Sequence, residues 1–170
     1  MMNIFLKNQI KKLTKNSVRV KMFREYKDIR QVMLLFNMED LAVVESFVKT
    51  LVADGKLVTA YSFELNNNAY PQLPDNFTIL NKENLNFFRI PKSAELSVFK
   101  GHRSDTLIDL TKKPSLILRF LFLNSPSDFR VGFNRDNAPL YDLLIEQNQE
   151  QDFSFFVGQM LFYMKSLRTK

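Results

Sequence analysis

Residues 105–146 constrain the fold of this chain more than any other stretch, because short apolar strands alternate here with an apolar helix. The pattern predicts strands over 105–110, 129–133 and 140–145, and a helix over 114–123 that is apolar on nearly every side. Strands that are buried on both faces lose the in-and-out alternation of a half-exposed sheet, and they are typical of parallel sheets covered by helices. The stretch therefore predicts an α/β fold with a mostly parallel, Rossmann-like sheet.

The preceding residues predict a strand–helix–strand unit of the same kind. Residues 31–37 form an apolar strand, 57–63 form a second one, and the helix between them has apolar residues at helical spacing. We expect Asn37 to cap this helix at its start and Gly55 to end it in a left-handed conformation. Such a unit is right-handed and pairs its two strands in parallel.

The remaining segments give shorter or more local signals. Residues 77–80, 86–90 and 95–99 are each predicted to be a short strand, whereas 3–15 and 152–167 have the apolar stripe of an amphipathic helix. No internal repeat or interdomain linker separates these elements, and a chain of 170 residues suits one compact domain.

Positive charge is concentrated at the start of the chain. Residues 1–30 have a net charge of +7 from nine Lys and Arg side chains and two acids, whereas the other residues sum to −1. We therefore expect a basic N-terminal extension, residues 1–30, followed by a single Rossmann-like α/β domain, residues 31–170.

Composition excludes several classes of function. The chain has no Cys and one His, so disulfides, thiolate catalysis and a transition-metal site are not expected, and no cofactor is expected either. The first strand-to-helix turn has no Gly and carries Glu39 and Asp40, which argues against a nucleotide phosphate there. Asp105, Asp109 and Asp142 leave a Mg²⁺ site formally open.

Location is predicted from hydropathy. No segment approaches the roughly 18 consecutive apolar residues of a membrane span, and the only apolar cluster near the start is shorter than that of a secretory signal. The expectation is a cytoplasmic protein, with a peripheral position at the inner face of the membrane as a further option.

Two resemblances accompany these patterns. The basic start, Val32 to Phe36, Asp105 to Thr111, Phe129 to Gly132, Leu140 to Ile145 and the closing Phe162 to Ser166 together resemble a bacterial domain family of the Bacteroidota that has no assigned activity. Residues 105–146 also resemble the N-terminal half of heptosyltransferase-type glycosyltransferases. Because the sugar-nucleotide contacts of those enzymes come mainly from a C-terminal half for which this chain has no room, that second resemblance supports the fold and speaks against the activity.

Candidate site residues lie beyond the carboxyl ends of the predicted strands, where open α/β sheets bind ligands. Asp109 is the candidate catalytic base. The candidate ligand-binding residues are Thr111, Lys112, Lys113, Asn134 and Arg135. The alternative is structural: a buried Asp109 that accepts backbone hydrogen bonds, solvated lysines and a plain surface turn. His102 could act catalytically only beside Ser104 and a carboxylate, and its Lys-Gly-His-Arg setting indicates an exposed turn instead.

The basic start of the chain, residues 1–16, has three interpretations. It could lie on an anionic membrane surface through an apolar face made of Ile4, Phe5, Leu6, Ile10 and Leu13. It could bind nucleic acid, although the body of the chain has neither a basic groove nor a stacking platform, so nucleic acid is not the expected partner. It could also pack on its own domain with its lysines in solvent.

Two functional hypotheses follow. The first is a non-catalytic cytoplasmic module that binds a protein partner or a small polar ligand. The alternative is a transferase or hydrolase that acts on a phosphorylated or sugar-like molecule, with Asp109 as the base and Lys112, Lys113 or Arg135 as the anion-binding groups. The two differ in whether these groups converge on one concave pocket.

Overall fold

The computed structural model describes residues 3–66, 68, 70, 72–133, 135–148 and 150–169, apart from the side chain of Arg135. These residues contain one six-stranded sheet and five α-helices. The strands are β1 (Gln31–Phe36), β2 (Leu57–Phe63), β3 (Phe77–Leu80), β4 (Thr106–Leu110), β5 (Phe129–Gly132) and β6 (Leu143–Leu144). The helices are α1 (Asn3–Asn16), α2 (Leu41–Ala53), α3 (Ser93–Gly101), α4 (Leu116–Asn124) and α5 (Phe153–Ser166).

The sheet has the strand order β3-β2-β1-β4-β5-β6, and every neighbouring pair is parallel. This is the 3-2-1-4-5-6 order of doubly wound Rossmann folds. The predicted α/β class and the Rossmann-like parallel sheet are confirmed. Within the sheet, β1 and β4 are the central pair, with Val32 opposite Thr106 and Phe36 opposite Leu110.

Helices cover both faces of the sheet, which explains why the strands are apolar without alternation. Val32, Leu34 and Phe36 of β1 join one apolar cluster with α2 and α5. Met33 and Leu35 of the same strand join the other cluster, with α1, α3 and α4. Both faces of β1 therefore belong to the core, and a polar side chain pointing to either face would be buried.

Helix α1 packs across α4 and forms a further layer on that face of the domain. Leu6 is 1% exposed, and Ile10 and Leu13 pack against the cluster that contains α4. This arrangement explains why α4 is apolar around its whole circumference, since it lies between the sheet and α1. It also corrects the membrane-facing interpretation of Leu6, Ile10 and Leu13, because these side chains face their own domain.

Two predicted strands are wrong. Residues 95–99 belong to α3, where Leu96 and Phe99 at helical spacing face the core. Residues 86–90 form a turn, because the Asn86 side chain accepts hydrogen bonds from the backbone N–H groups of Phe88 and Ile90 at 2.9 and 3.1 Å. Such local side-chain acceptors compete with a strand ladder.

The other predicted elements are present with shifted ends. The predicted strand 140–145 shortens to Leu143–Leu144, because a 3₁₀ helix with an internal Pro occupies Arg135–Leu140. Gly55 ends α2 with a φ of 79°, as predicted. Among the described residues, no helix has both the length and the apolarity that crossing a bilayer requires.

Candidate functional site

The strand order reverses between β1 and β4. From β1 the chain continues to β2 on one side of the sheet, and from β4 it continues to β5 on the other side. The loops after these two strands diverge at such a point and usually leave a crevice that accepts a ligand. Here the two loops are residues 37–40 after β1 and residues 111–115 after β4. A ligand site is therefore expected in the crevice between them.

Direct contacts tie these two loops together. The Asn37 side-chain amide donates to the backbone carbonyl of Lys113 at 3.1 Å, and its oxygen accepts from the Lys113 backbone N–H at 2.9 Å. The Lys112 ammonium lies 2.6 Å from a carboxylate oxygen of Asp40, and the Lys113 ammonium pairs with Glu39. Both predicted anion-binding lysines thus already have carboxylate partners, and the crevice is bridged.

The prediction that Asn37 caps α2 is wrong, because its side chain bonds to the other loop. Asn37 makes no side-chain hydrogen bond to the start of the helix. Its amide instead makes the two backbone hydrogen bonds to Lys113 across the crevice, so the residue joins β1 to β4.

A pocket of about 240 Å³ lies one step along the same edge of the sheet, between the end of β4, the first turn of α4 and the 3₁₀ helix after β5. Its polar lining residues are Asp109, Thr111, Ser115, Arg119 and Asn137. Its apolar lining comes from Pro114, Leu116 and Leu118. The carboxyl end of β4 therefore does form a concave site with polar and apolar walls, on the α4 side of the sheet.

Asp109 is buried at the base of this pocket and has three hydrogen-bond donors. One carboxyl oxygen accepts from the Thr111 backbone N–H at 3.0 Å and from the Thr111 hydroxyl at 2.5 Å. The other oxygen accepts from the Tyr141 hydroxyl at 2.6 Å. Burial raises the pKa of Asp109 above its usual value, against the opposing effect of these donors.

Tyr141 approaches the sheet closely because β5 has a glycine beneath it. A Cβ atom on Gly132 would lie 2.2 Å from the Tyr141 ring, well inside van der Waals contact. The ring also packs edge-on against Phe122 of α4, with centroids 5.3 Å apart. Gly132 thus allows Tyr141 to reach Asp109, and the pair fixes the floor of the pocket.

Arg119 supplies the positive charge of the pocket. Its Nη1 atom is buried and has no hydrogen-bond partner among the described residues. Burial lowers the pKa of its guanidinium group, and Asp109 and Tyr141 act against that shift. At the start of α4, the Ser115 side chain accepts from the Leu118 N–H at 3.3 Å, and the first turn contains no acidic residue.

The predicted site residues divide into three groups. Asp109 and Thr111 line the pocket. Lys112 and Lys113 are held by Asp40 and Glu39 in the neighbouring crevice. Asn134 and the side chain of Arg135 lie outside the described residues, and the backbone of Arg135 begins the 3₁₀ helix.

Three polar lining residues were not among the predicted site residues: Ser115, Arg119 and Asn137. Arg119 had a usable signal, because it is the only charged residue of the helix Leu116–Asn124. A lone cation in a helix that is otherwise apolar has either a buried partner or a ligand. Asn137 had no such sequence signal, since it lies in a turn-rich loop.

The other candidate residues lie elsewhere. His102 is exposed at the end of α3, and Ser104 pairs with Ser127 at 2.5 Å, both at the amino end of β4. Asp105 accepts from two backbone N–H groups, and Asp142 pairs with Arg19 at 2.8 Å. Within the described ranges, no group of three or more acidic or His side chains is arranged to hold a metal ion.

Comparison with protein families places the chain without assigning an activity. Residues 3–167 match the model of DUF6913, which is described as a family of unknown function, and the chain belongs to this family. Searches of curated proteins and of solved structures gave no significant match. The pocket geometry is therefore the main guide to function.

Proposed function

We propose that this member of DUF6913 is a non-catalytic module that binds a small anionic molecule in the pocket at the start of α4. The observation that carries the proposal is the buried Nη1 atom of Arg119, which has no partner in the described part of the chain and belongs to a pocket-lining side chain. An unmade hydrogen bond from a buried charged group costs about 1–3 kcal/mol or more. An anion bound in the pocket beside this side chain would offset part of the cost of burying its charge.

The position of Arg119 along its helix strengthens the argument. It is the fourth residue of α4, close to the positive end of the helix dipole, where a cation is less favourable than an anion. Arg130 also has buried Nε and Nη1 atoms without a partner among the described residues, but it lies at the opposite, negative end of α4 and donates to the carbonyl of Ser125 at 3.3 Å. The negative end of the helix stabilises the charge of Arg130, whereas the start of α4, beside Arg119, favours an anionic ligand.

The size of the pocket limits the ligand. Its volume of about 240 Å³ is below the roughly 300–1,000 Å³ typical of pockets for drug-sized molecules. A phosphate, a small phosphate ester or a short carboxylate suits this space, and a dinucleotide does not. Ser115 and Asn137 add the hydroxyl and amide groups that would orient such an anion, whereas the Thr111 hydroxyl already donates its proton to Asp109.

The alternative function, a transferase or hydrolase, has weaker support. Asp109 lines the pocket and its pKa is raised, as expected for an acid or base catalyst. However, hydrogen bonds from Thr111 and Tyr141 already fill three of the roughly four acceptor positions of its buried carboxyl group, which leaves little room for proton exchange with a substrate. A binding role leaves these hydrogen bonds intact.

Isothermal titration calorimetry with inorganic phosphate, and then with a panel of small phosphate esters and carboxylates, tests the proposal. We expect at least one of these anions to bind the full chain and to raise its midpoint of thermal unfolding. Arg119→Gln should weaken that binding about tenfold or more, since a charge-assisted hydrogen bond is lost.

Lys113→Gln is the matched control, because it removes one positive charge from the neighbouring crevice and leaves the pocket unchanged. It should bind the same anion as the unmodified chain. Loss of binding in Lys113→Gln with retention in Arg119→Gln would place the site in the crevice and refute the proposal. Failure of every anion to bind would refute it as well.

A further inference from the structure

Four large apolar side chains form an exposed patch on the face of the domain that carries α1. Ile4 and Phe5 of α1 are 53% and 54% exposed, and Phe87 and Phe88 of the turn after β3 are 81% and 42% exposed. The rings of Phe5 and Phe88 lie 4.6 Å apart and those of Phe87 and Phe88 5.5 Å apart, so the aromatic members are in contact. We refer to these four residues as the aromatic patch.

The turn presents its two phenylalanines on a fixed backbone. The Asn86 side chain accepts from the N–H groups of Phe88 and Ile90, and the Arg89 N–H donates to the Asn86 carbonyl at 2.9 Å. Arg89 adopts a φ of 58°, in the left-handed region that non-glycine residues rarely occupy. A hydrogen-bonded turn of this kind keeps Phe87 and Phe88 exposed when they could otherwise fold back onto the domain.

The helix beside the aromatic patch has only basic charge. Lys7, Lys11, Lys12 and Lys15 of α1 are exposed, and the helix contains no Asp or Glu. None of these four lysines forms an ion pair with a described residue. Their charge is therefore available to an anionic partner.

We propose that this face of the domain docks on an anionic phospholipid surface, with the aromatic patch inserted at the headgroup boundary and the lysines of α1 against the lipid phosphates. The apolar contact differs from that predicted by sequence, because Leu6, Ile10 and Leu13 are turned inward and the exposed Phe87 and Phe88 take their place. The combination of exposed rings with unpaired lysines fits the chemistry of a lipid interface.

An apolar groove continues the surface beneath the start of α1. It has a volume of about 390 Å³ and includes Leu6, Phe63, Leu65, Leu85 and Arg89 in its lining. Leu65 at its rim is 58% exposed. The apolar surface thus extends beyond four side chains, with a cationic group beside it, as an interface between acyl chains and headgroups requires.

The arrangement of the rings favours lipid over single-stranded nucleic acid. Single-strand binders offer separate aromatic faces on which successive bases stack. Here the three rings are packed on one another, with interplanar angles of 49° for Phe5 and Phe88 and 81° for Phe87 and Phe88. They form a compact apolar projection instead of a series of parallel platforms.

Sedimentation with vesicles tests the inference with the full chain. Vesicles of phosphatidylcholine that contain about one third phosphatidylglycerol should bind the protein, and pure phosphatidylcholine vesicles should bind it far more weakly. The double substitution Phe87→Ser, Phe88→Ser should lower the partition coefficient about tenfold or more. Phe155→Ser, Phe162→Ser is the matched control, because these exposed rings lie on α5 on the opposite face of the sheet, and it should leave binding unchanged.

Charge is tested by one further pair of variants. Lys11→Gln should lower binding about fivefold, the factor expected for one cation near an anionic surface. Lys49→Gln, an exposed lysine on α2 of the opposite layer, should have little effect. All four variants change exposed side chains, and equal thermal unfolding midpoints would show that each is folded.

Three outcomes would overturn the inference: no binding to anionic vesicles, an equal loss of binding in the α5 control, or binding of a single-stranded oligonucleotide without binding of vesicles. Arg119→Gln should not change vesicle binding, since Arg119 lies in the pocket and outside the aromatic patch. The two proposals can therefore fail separately.

Discussion

Gly132→Ala is expected to destabilise the domain strongly through a single neighbour. The new methyl group would lie 2.2 Å from the Cε1 atom of Tyr141, whereas ordinary contact begins at 3.4 Å. The ring must therefore retreat by about 1 Å. Its hydroxyl, now 2.6 Å from a carboxyl oxygen of Asp109, would then lie beyond hydrogen-bond distance.

The magnitude has two parts. Overpacking a tight site costs about 1–3 kcal/mol. Loss of the hydrogen bond between the Tyr141 hydroxyl and the Asp109 carboxyl oxygen costs about 1–3 kcal/mol more, because Tyr141 is 1% exposed and water cannot replace the bond. We expect the free energy of unfolding to fall by about 4 kcal/mol in all.

Urea unfolding of a double-mutant cycle with Tyr141→Phe measures the coupling. Tyr141→Phe alone should cost about 1–2 kcal/mol, and it should cost much less in the Gly132→Ala background, where the hydrogen bond to Asp109 is already broken. Gly158→Ala is the control: its Cβ meets open space within α5, so it should stabilise the protein by about 0.5–1 kcal/mol. If the effects of Gly132→Ala and Tyr141→Phe on the free energy of unfolding add to within about 0.5 kcal/mol, the reasoning is refuted.

Two further predictions concern the segment that joins α1 to β1. Hydrogen bonds from the hydroxyl and the N–H of Thr169, together with Lys27, lower the pKa of Glu25 from 4.5 to about 2, so its stabilising contribution is complete above pH 4.5 and is lost as the pH falls through 2. The stability gap between the unmodified chain and Glu25→Gln, measured by urea unfolding across that range, should therefore close toward pH 2, and a gap that does not change with pH would contradict the assignment. Lys56→Met should cost about 2 kcal/mol in a urea titration at neutral pH, because the buried ammonium donates to the carbonyls of Tyr26 and Ile29 at 2.7 Å each, and an unchanged midpoint would show that these bonds add nothing.

The fold was predictable where burial on both sides leaves a continuous apolar pattern. The strands β1, β2, β4 and β5 lie in the middle of the sheet, and each follows from a run of apolar residues. Two predicted strands were wrong for different reasons. Within residues 86–90, the Asn86 side chain accepts backbone hydrogen bonds and closes a turn. The segment 95–99 is too short for helical and strand periodicity to differ clearly. Beyond the parallel pairing of β1 with β2, the strand order follows from tertiary packing and had no sequence signal.

The candidate site was predictable only in part, for a physical reason. The rule that ligands bind beyond the carboxyl ends of strands correctly indicated Asp109 and Thr111 as residues of one edge. It could not show that Lys112 and Lys113 face acids from a loop about 75 residues earlier, because ion pairs across a sheet depend on which strands are neighbours. Arg119 does not follow from that rule, because it lies in a helix whose apolar residues on every side indicate burial between layers and not a ligand site.

The tied loops and the position of Arg119 are two parts of one arrangement. Asp40 and Glu39 neutralise Lys112 and Lys113, so the crevice where Rossmann folds usually bind a nucleotide keeps little attraction for phosphate. Arg119, one element farther along, keeps a buried donor without a partner in the described chain. A buried charge without a partner is costly, and an anion bound beside Arg119 would lower that cost. Under the proposed function, the ligand therefore lies in the pocket beside α4 instead of in the β1–β4 crevice, and the size of that pocket limits it to small anions.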